Sequence, residues 1–184
     1  MPTPAPMMPD NRSDFRPAPL RRRLFALSYE SLLVGAVGMV ALLPAAVLQT
    51  LAQHRVPALL PFMPVIQAVL LLGGWWLYFK LNWRRESQTL PMRVWSIGLS
   101  AADGARPSLA RLRLRFAWAS IFLIFIPLMA YIAFKHMGVA PRMAFFTALL
   151  WWILPWGFAL FHPQRQFLYD HLAGTRLEDT RETS

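Results

Sequence analysis

An acid inside an apolar run is the first residue that needs explaining. Glu30 lies within the stretch Leu24-Phe25-Ala26-Leu27-Ser28-Tyr29-Glu30, which continues into further apolar residues. An ionisable side chain there costs on the order of a few kcal/mol to place in hydrocarbon, and it is normally turned toward protein or a water-filled cavity. Arg23 precedes Glu30 by seven residues, close to two helical turns, so both lie along one helix face. At 1.5 Å rise per residue, Glu30 sits roughly 10 Å deeper than Arg23. Two chemistries fit. One is a cation or proton site whose carboxylate is tuned by desolvation and by Arg23, or Arg22, as electrostatic partner. The other is structural: an ion pair, or a hydrogen bond to a Tyr or Ser of a neighbouring helix. Asp170 is the second acid of interest, and a salt bridge to the Arg21-Arg22-Arg23 cluster would pin the tail beneath the bundle.

Other chemistry is excluded by what the chain lacks. It has no cysteine, which removes disulfides, thiolate catalysis and cysteine-based metal centres. His54, His136, His162 and His171 show no metal-ligand spacing. Asp103-Gly104 reads as a turn. There is no phosphate-cradling glycine loop, nucleophile elbow or pair of catalytic carboxylates. The reading is therefore not an enzyme, with no cofactor and no metal.

The elements that must position these residues are four long apolar segments, about 24–48, 58–79, 114–134 and 143–161. Each approaches the ~20 residues that a helix needs to cross ~30 Å of hydrocarbon. Composition agrees: 56% of residues are hydrophobic and 15% charged, with mean hydropathy +0.37, against about 25% charged in soluble domains. The expected fold is all-α, a polytopic four-helix membrane protein with a short cytoplasmic hairpin-like loop. A short strand or hairpin is expected where Val94, Trp95, Ile97 and Leu99 mostly alternate before the Asp103-Gly104 turn. Ser108 is the expected N-cap of the third span. Pro44 is expected to kink or end the first span, and Pro127 and Pro155 to bend the last two. Residues 1–20 read as a disordered, proline-rich cytoplasmic tail and the first span as an uncleaved anchor. Residues 21–176 form the membrane domain and 177–184 a polar tail, with an amphipathic helix expected between His162 and Gly174.

Sixteen of the nineteen Lys and Arg residues fall in the N-terminal segment, the loop between spans two and three, and the C-terminal tail. Only Arg55, Lys135 and Arg142 lie in the other two loops. Excess Lys/Arg marks the cytoplasmic side, so both termini are expected there. The net charge of +10 is then topology and contact with anionic lipid headgroups, not a nucleic-acid surface. A face of Ser31, Gly35 and Gly38 offers close contact for a homo-oligomer or a membrane-protein partner.

Three segments together resemble a known family. Arg22-Arg23-Leu24-Phe25-Ala26-Leu27-Ser28-Tyr29-Glu30 resembles the opening of the RDD family of small bacterial membrane proteins. Ser87-Gln88-Thr89-Leu90-Pro91-Met92-Arg93 resembles its segment after the second span, with Asp103-Gly104 at the expected place. Leu168-Tyr169-Asp170-His171-Leu172-Ala173-Gly174-Thr175 resembles its closing motif. Two positions depart from the pattern: Glu30 stands where an aspartate is usual, and Ser87 where a glycine is usual. The resemblance implies a bacterial inner-membrane protein whose site residues are Arg22, Arg23, Glu30 and Asp170, with Gln88, Thr89 and Arg93 as the loop motif. The activity it implies is transport of a cation, proton or small solute; a non-transporting accessory protein bound to a larger membrane partner or anionic lipid is the alternative.

Overall fold

The computed structural model describes residues 16–181. Four helical segments are long and apolar enough to cross a membrane: Leu20–His54, Pro57–Glu86, Leu109–His136 and Pro141–Phe161. At most 22% of the most apolar window of each is buried within the chain, so their outer faces are left for lipid. The first span is one continuous helix, α1 (Leu20–His54), which carries Pro44 without ending there. The second is a 3-10 turn (Pro57–Phe62) running into α2 (Met63–Glu86).

α1 and α2 pack through small residues. A Cβ on Gly38 would lie 3.1 Å from Leu71 and 3.2 Å from Trp75, and one on Gly74 would lie 2.7 Å from the Ala41 Cβ. The closeness lets Trp75 Nε1 donate to the Val34 carbonyl at 2.8 Å. Gly38 thus serves contact within the chain, while Gly35 meets nothing within 4 Å.

The third span is α4 (Leu109–Ser120), a π-helical turn (Ile121–Phe125) and α5 (Ile126–His136). Ser108 caps α4 as expected, its side chain accepting from the Arg111 amide at 3.3 Å. The wide turn precedes Pro127, which has no N–H for the carbonyl four residues back. That carbonyl, of Leu123, instead accepts from Trp152 Nε1 at 3.0 Å. The fourth span is α6 (Pro141–Leu149), a 3-10 turn (Leu150–Trp152) just before Pro155, and α7 (Ile153–Phe161).

The polar segments gather at the end of the bundle where α1 begins. After α2 come α3 (Leu90–Val94) and β1 (Ile97–Ala101); after α7 come α8 (Leu168–Leu172) and β2 (Thr175–Asp179). β1 does not turn back on a neighbour as a hairpin. It pairs antiparallel with β2, Ile97 opposite Asp179 and Ala101 opposite Thr175. The expected alternation fails because α3 takes Val94 and because Ser96 adopts φ 51°. Asp103-Gly104 does form a turn, with Gly104 at φ 81°; the chain after it runs to the Ser108 cap, leaving β1 to find the distant β2.

The tail boundaries also change. Residues 1–15 and 182–184 lie outside the described residues, but Arg16 accepts from the Asp179 amide at 3.0 Å and Ala18 donates to Leu177 at 3.3 Å. Residues 177–179, expected in a polar tail, belong to β2. The expected amphipathic helix between His162 and Gly174 is a five-residue α8 that buries Tyr169 and Asp170, followed by Gly174 at φ 63°. All five residues of β1 are buried, and the core at this end joins Trp83, Ile97, Leu99, Leu112, Phe167, Tyr169 and Leu177.

Candidate functional site

Glu30 lies at the end of the third turn of α1, half-buried. Its Oε1 accepts from the Tyr78 hydroxyl at 2.7 Å, and its Oε2 accepts from Thr89 Oγ1. Tyr78 comes from α2. Thr89 comes from the chain just past it, and local chemistry places it there. Ser87, at φ 55° and ψ 21°, ends α2 in the left-handed conformation, the region in which glycine carries no steric penalty. The chain reverses, and fully buried Thr89 becomes the N-cap of α3, its side chain accepting from the Met92 amide at 3.5 Å. One hydroxyl therefore caps a helix and holds a carboxylate at once.

Arg23 is not the partner of Glu30. Helix side chains lean toward the N-terminus, so Arg23 reaches off the start of α1 while Glu30 reaches back only to Tyr78 and Thr89. Arg23 is 2% exposed. Its Nη2 donates to the Leu177 carbonyl at 2.9 Å, and its Nη1 to that of Arg165. Arg22 is likewise committed, to Asp179 and to the Trp95 carbonyl at 3.0 Å. Both arginines hold the sheet beneath α1.

Asp170 does not bond to the Arg21–Arg23 cluster. It pairs with Arg115 of α4, Nε to Oδ1 2.6 Å, with Asp170 wholly buried and the Arg115 side chain 11% exposed. The guanidinium lies over the Trp83 ring at 4.6 Å and over the Tyr169 ring at 5.6 Å. Burial, and then the Asp170 charge, push the Tyr169 phenol far above its ordinary range, so it stays protonated. Charges from Asp170, Arg115, Arg23 and Glu30 all reach that phenol. The end of the bundle thus holds two carboxyl groups and two guanidinium groups drawn from three elements, α1, α4 and α8. Within it, Arg23 Nε, Trp83 Nε1 and Asp170 Oδ2 are buried without a hydrogen-bond partner among the described residues.

The loop residues divide. Thr89 belongs to the site, whereas Gln88, half-buried, takes no part in the bonds to Glu30. Arg93 pairs with Glu86 at the surface. Asp103 stays in its turn: the Ala105 amide, and then Arg111 at 3.1 Å, hold its carboxyl below the usual carboxylate range.

The family model of the RDD family matches residues 17–174. The chain belongs to the RDD family. No curated protein and no solved structure matches it. The matched span covers the first two resembling segments and the third as far as Gly174, and the fold brings a residue of each to the same end: Glu30, Thr89 and Asp170. In this RDD-family chain Ser87 occupies a backbone conformation that explains a glycine in the pattern.

Two members of the site were missed in the sequence. Tyr78 lies beside Trp75, Trp76 and Phe79, and nothing local sets it apart from that aromatic run. Arg115 alternates with Arg111 and Arg113, and the alternation does not single it out. A signal did exist for it: Leu112, Arg115 and Ala119 fall at helical spacing on one face, and both apolar members pack in the core. Arg113, on another face, is exposed.

Proposed function

We propose that this chain is a small bacterial inner-membrane transporter, or a subunit of one, that moves protons or a small cation by way of Glu30. The observation that supports this reading is the pair of hydroxyls on the Glu30 carboxylate. Each of its oxygens accepts from one hydroxyl, of Tyr78 and of Thr89, and the nearby cations are engaged elsewhere. A carboxylate held by neutral donors, with no guanidinium among the described residues bonded to it, gains or loses a proton or small cation without breaking an ion pair. Its oxygen-rich surroundings suit a hard cation as well as a proton. In this reading the Arg115–Asp170 pair is a latch at a cytoplasmic mouth, and the sixteen-to-three distribution of basic residues supports that orientation for the mouth and both termini. The basic residues around it that remain exposed face anionic headgroups.

One observation favours a second reading. Thr89 caps α3 while donating to Glu30, so the acid also ties the loop to α1. A non-transporting accessory protein that engages a larger membrane partner would need only that tie. Cation and proton flux into proteoliposomes, with Glu30→Gln against the native chain at matched incorporation, separates the two. Native flux that disappears in the variant, with thermal melting preserved, is the expected result. No flux from either protein over empty liposomes, with only the melting point lowered in the variant, leaves the accessory reading.

A further inference from the structure

Beside the turn between α7 and α8, a cavity of about 410 Å³ abuts the end of the sheet where Ala101 pairs with Thr175. That volume falls within the range of small-ligand pockets. Six of the residues that line it carry side-chain donors: His162, His171, Gln164, Gln166, Thr175 and Arg176. Among the described residues, no Asp or Glu lines it.

The donors are not equally engaged. Gln166 is 1% exposed; its Oε1 accepts from the Leu177 amide at 3.3 Å, while its Nε2 has no partner among the described residues. A buried donor left unpaired costs about 1–3 kcal/mol, so the amide calls for an acceptor. The His162 and His171 rings lie 4.8 Å apart, both against Phe158. His162 Nδ1 accepts from the Gln164 amide at 3.3 Å, which leaves Nε2 as its proton-bearing nitrogen. Burial, and then the neighbouring His171, hold the His162 imidazole below its ordinary range. A negative charge between the rings would relieve that repulsion. A metal is the poorer fit: one ring nitrogen is taken, and no group of three His, Asp or Glu among the described residues could hold an ion.

We propose that this cavity binds a phosphate-type oxyanion, carried either by a soluble solute or by a lipid headgroup. Arg176 supplies the charge and a planar fork of donors, His171 and His162 supply ring N–H groups, and the Gln166 amide closes the base. The site is separate from Glu30 and does not depend on its role. It does touch the buried ion pair: Thr175, in the wall, donates to the Asp170 carbonyl at 3.3 Å and lies 3.4 Å from Asp170 Oδ1. An occupant would therefore press on the element that Arg115 holds.

The test is calorimetry on the full chain in neutral detergent, titrating inorganic phosphate and pyrophosphate at constant ionic strength. A parallel arm repeats the titration in nanodiscs of phosphatidylcholine with and without phosphatidic acid. Saturable one-to-one binding is expected, weakened about tenfold in Arg176→Gln and severalfold in His171→Gln, and unchanged in Arg93→Gln, whose side chain pairs with Glu86. Because His171 is exposed, its variant keeps the test valid even if Arg176→Gln folds poorly. Loss of phosphate binding when phosphatidic acid is present assigns the ligand to a headgroup; persistence assigns it to a soluble solute. The proposal is overturned by absence of saturable binding in both arms. It is equally overturned by equal weakening in Arg93→Gln, which would mean diffuse attraction to a +10 chain, or by Zn²⁺ binding more tightly than phosphate at the same residues.

Discussion

Breaking the Arg115–Asp170 pair should be the most destabilising polar change in this chain, and a double-mutant cycle should show that the partners are strongly coupled. Asp170 is wholly buried, with Nε 2.6 Å from Oδ1. Removing one partner of a buried pair leaves an uncompensated charge, at a cost of about 3–5 kcal/mol. Asp170→Leu strands the Arg115 guanidinium, which at 11% exposure keeps some contact with its surroundings, so it belongs at about 3 kcal/mol. Arg115→Met strands the carboxylate and also removes the cation from the Trp83 face at 4.6 Å, which adds about 0.5–2 kcal/mol and puts it at the upper end. Combining Arg115→Met with Asp170→Leu removes both charges together, and apolar replacements of buried pairs are often close to neutral. The double variant should then cost at least about 2 kcal/mol less than the sum of its single variants. Denaturant unfolding in micelles, followed by the fluorescence of the eight tryptophans, measures all of the required states. Single variants costing under about 1 kcal/mol each, or strictly additive effects, would refute the reasoning, because a charge with ready access to water needs no partner.

The hydroxyls on Glu30 should rank. Tyr78→Phe removes one bond to a charged group, about 1.5–3 kcal/mol, while Thr89→Val also removes the α3 cap, roughly 1 kcal/mol more; equal melting of the two variants would deny the double role of Thr89. Ser87→Gly should stabilise by about 0.5–1 kcal/mol, since an L-residue at φ 55° costs about 1–2 kcal/mol and the added freedom of glycine when unfolded returns part of that; a lower melting point would count against the left-handed turn. Gly74→Val, whose Cβ would meet the Ala41 Cβ at 2.7 Å, should cost about 1–3 kcal/mol by forcing α1 and α2 apart. Gly73→Ala, with nothing within 4 Å, should be neutral or stabilising; similar losses in both would show that the helices do not pack there.

The spans were legible because hydrocarbon imposes one rule on every residue within it, and a run of about twenty apolar residues satisfies that rule without knowledge of its neighbours. Their ends were not. Leu20–His54 and Leu109–His136 extend past the apolar runs because arginine stems tolerate the boundary and because Ser108, not hydropathy, starts α4. Glu30 and Asp170 stood out as acids in the wrong setting, but their partners depended on facts that only the fold supplies. Arg23 shares a helix face with Glu30 and still misses it, since both side chains lean the same way along α1. Arg115 shares no local pattern with Asp170, 55 residues away. The sheet was illegible for the same reason: a two-stranded pairing whose members are separated by the third and fourth spans leaves no turn between them to read.

That separation bears on how the protein can work. The sheet joins residues near the start of α1, the segment after α2 and the end of the chain, so it can close only after all four spans are in place. Arg22 and Arg23 clamp it from α1, and Arg115 clamps α8 from α4. Arginines that count as topology signals in the sequence are thus also the fasteners of the assembled end. The Thr89 hydroxyl bonds Glu30 and caps α3, so drawing it away from Glu30 forfeits a cap and a charge-assisted hydrogen bond together, about 3 kcal/mol. Protonation of Glu30 weakens the charge-assisted part of that cost and nothing else. A transporter built this way would open preferentially in the protonated state, whereas an accessory protein would gain nothing from the dependence, and Glu30→Gln, a permanent mimic of the neutral acid, should loosen α3 toward hydrogen exchange only if that coupling exists.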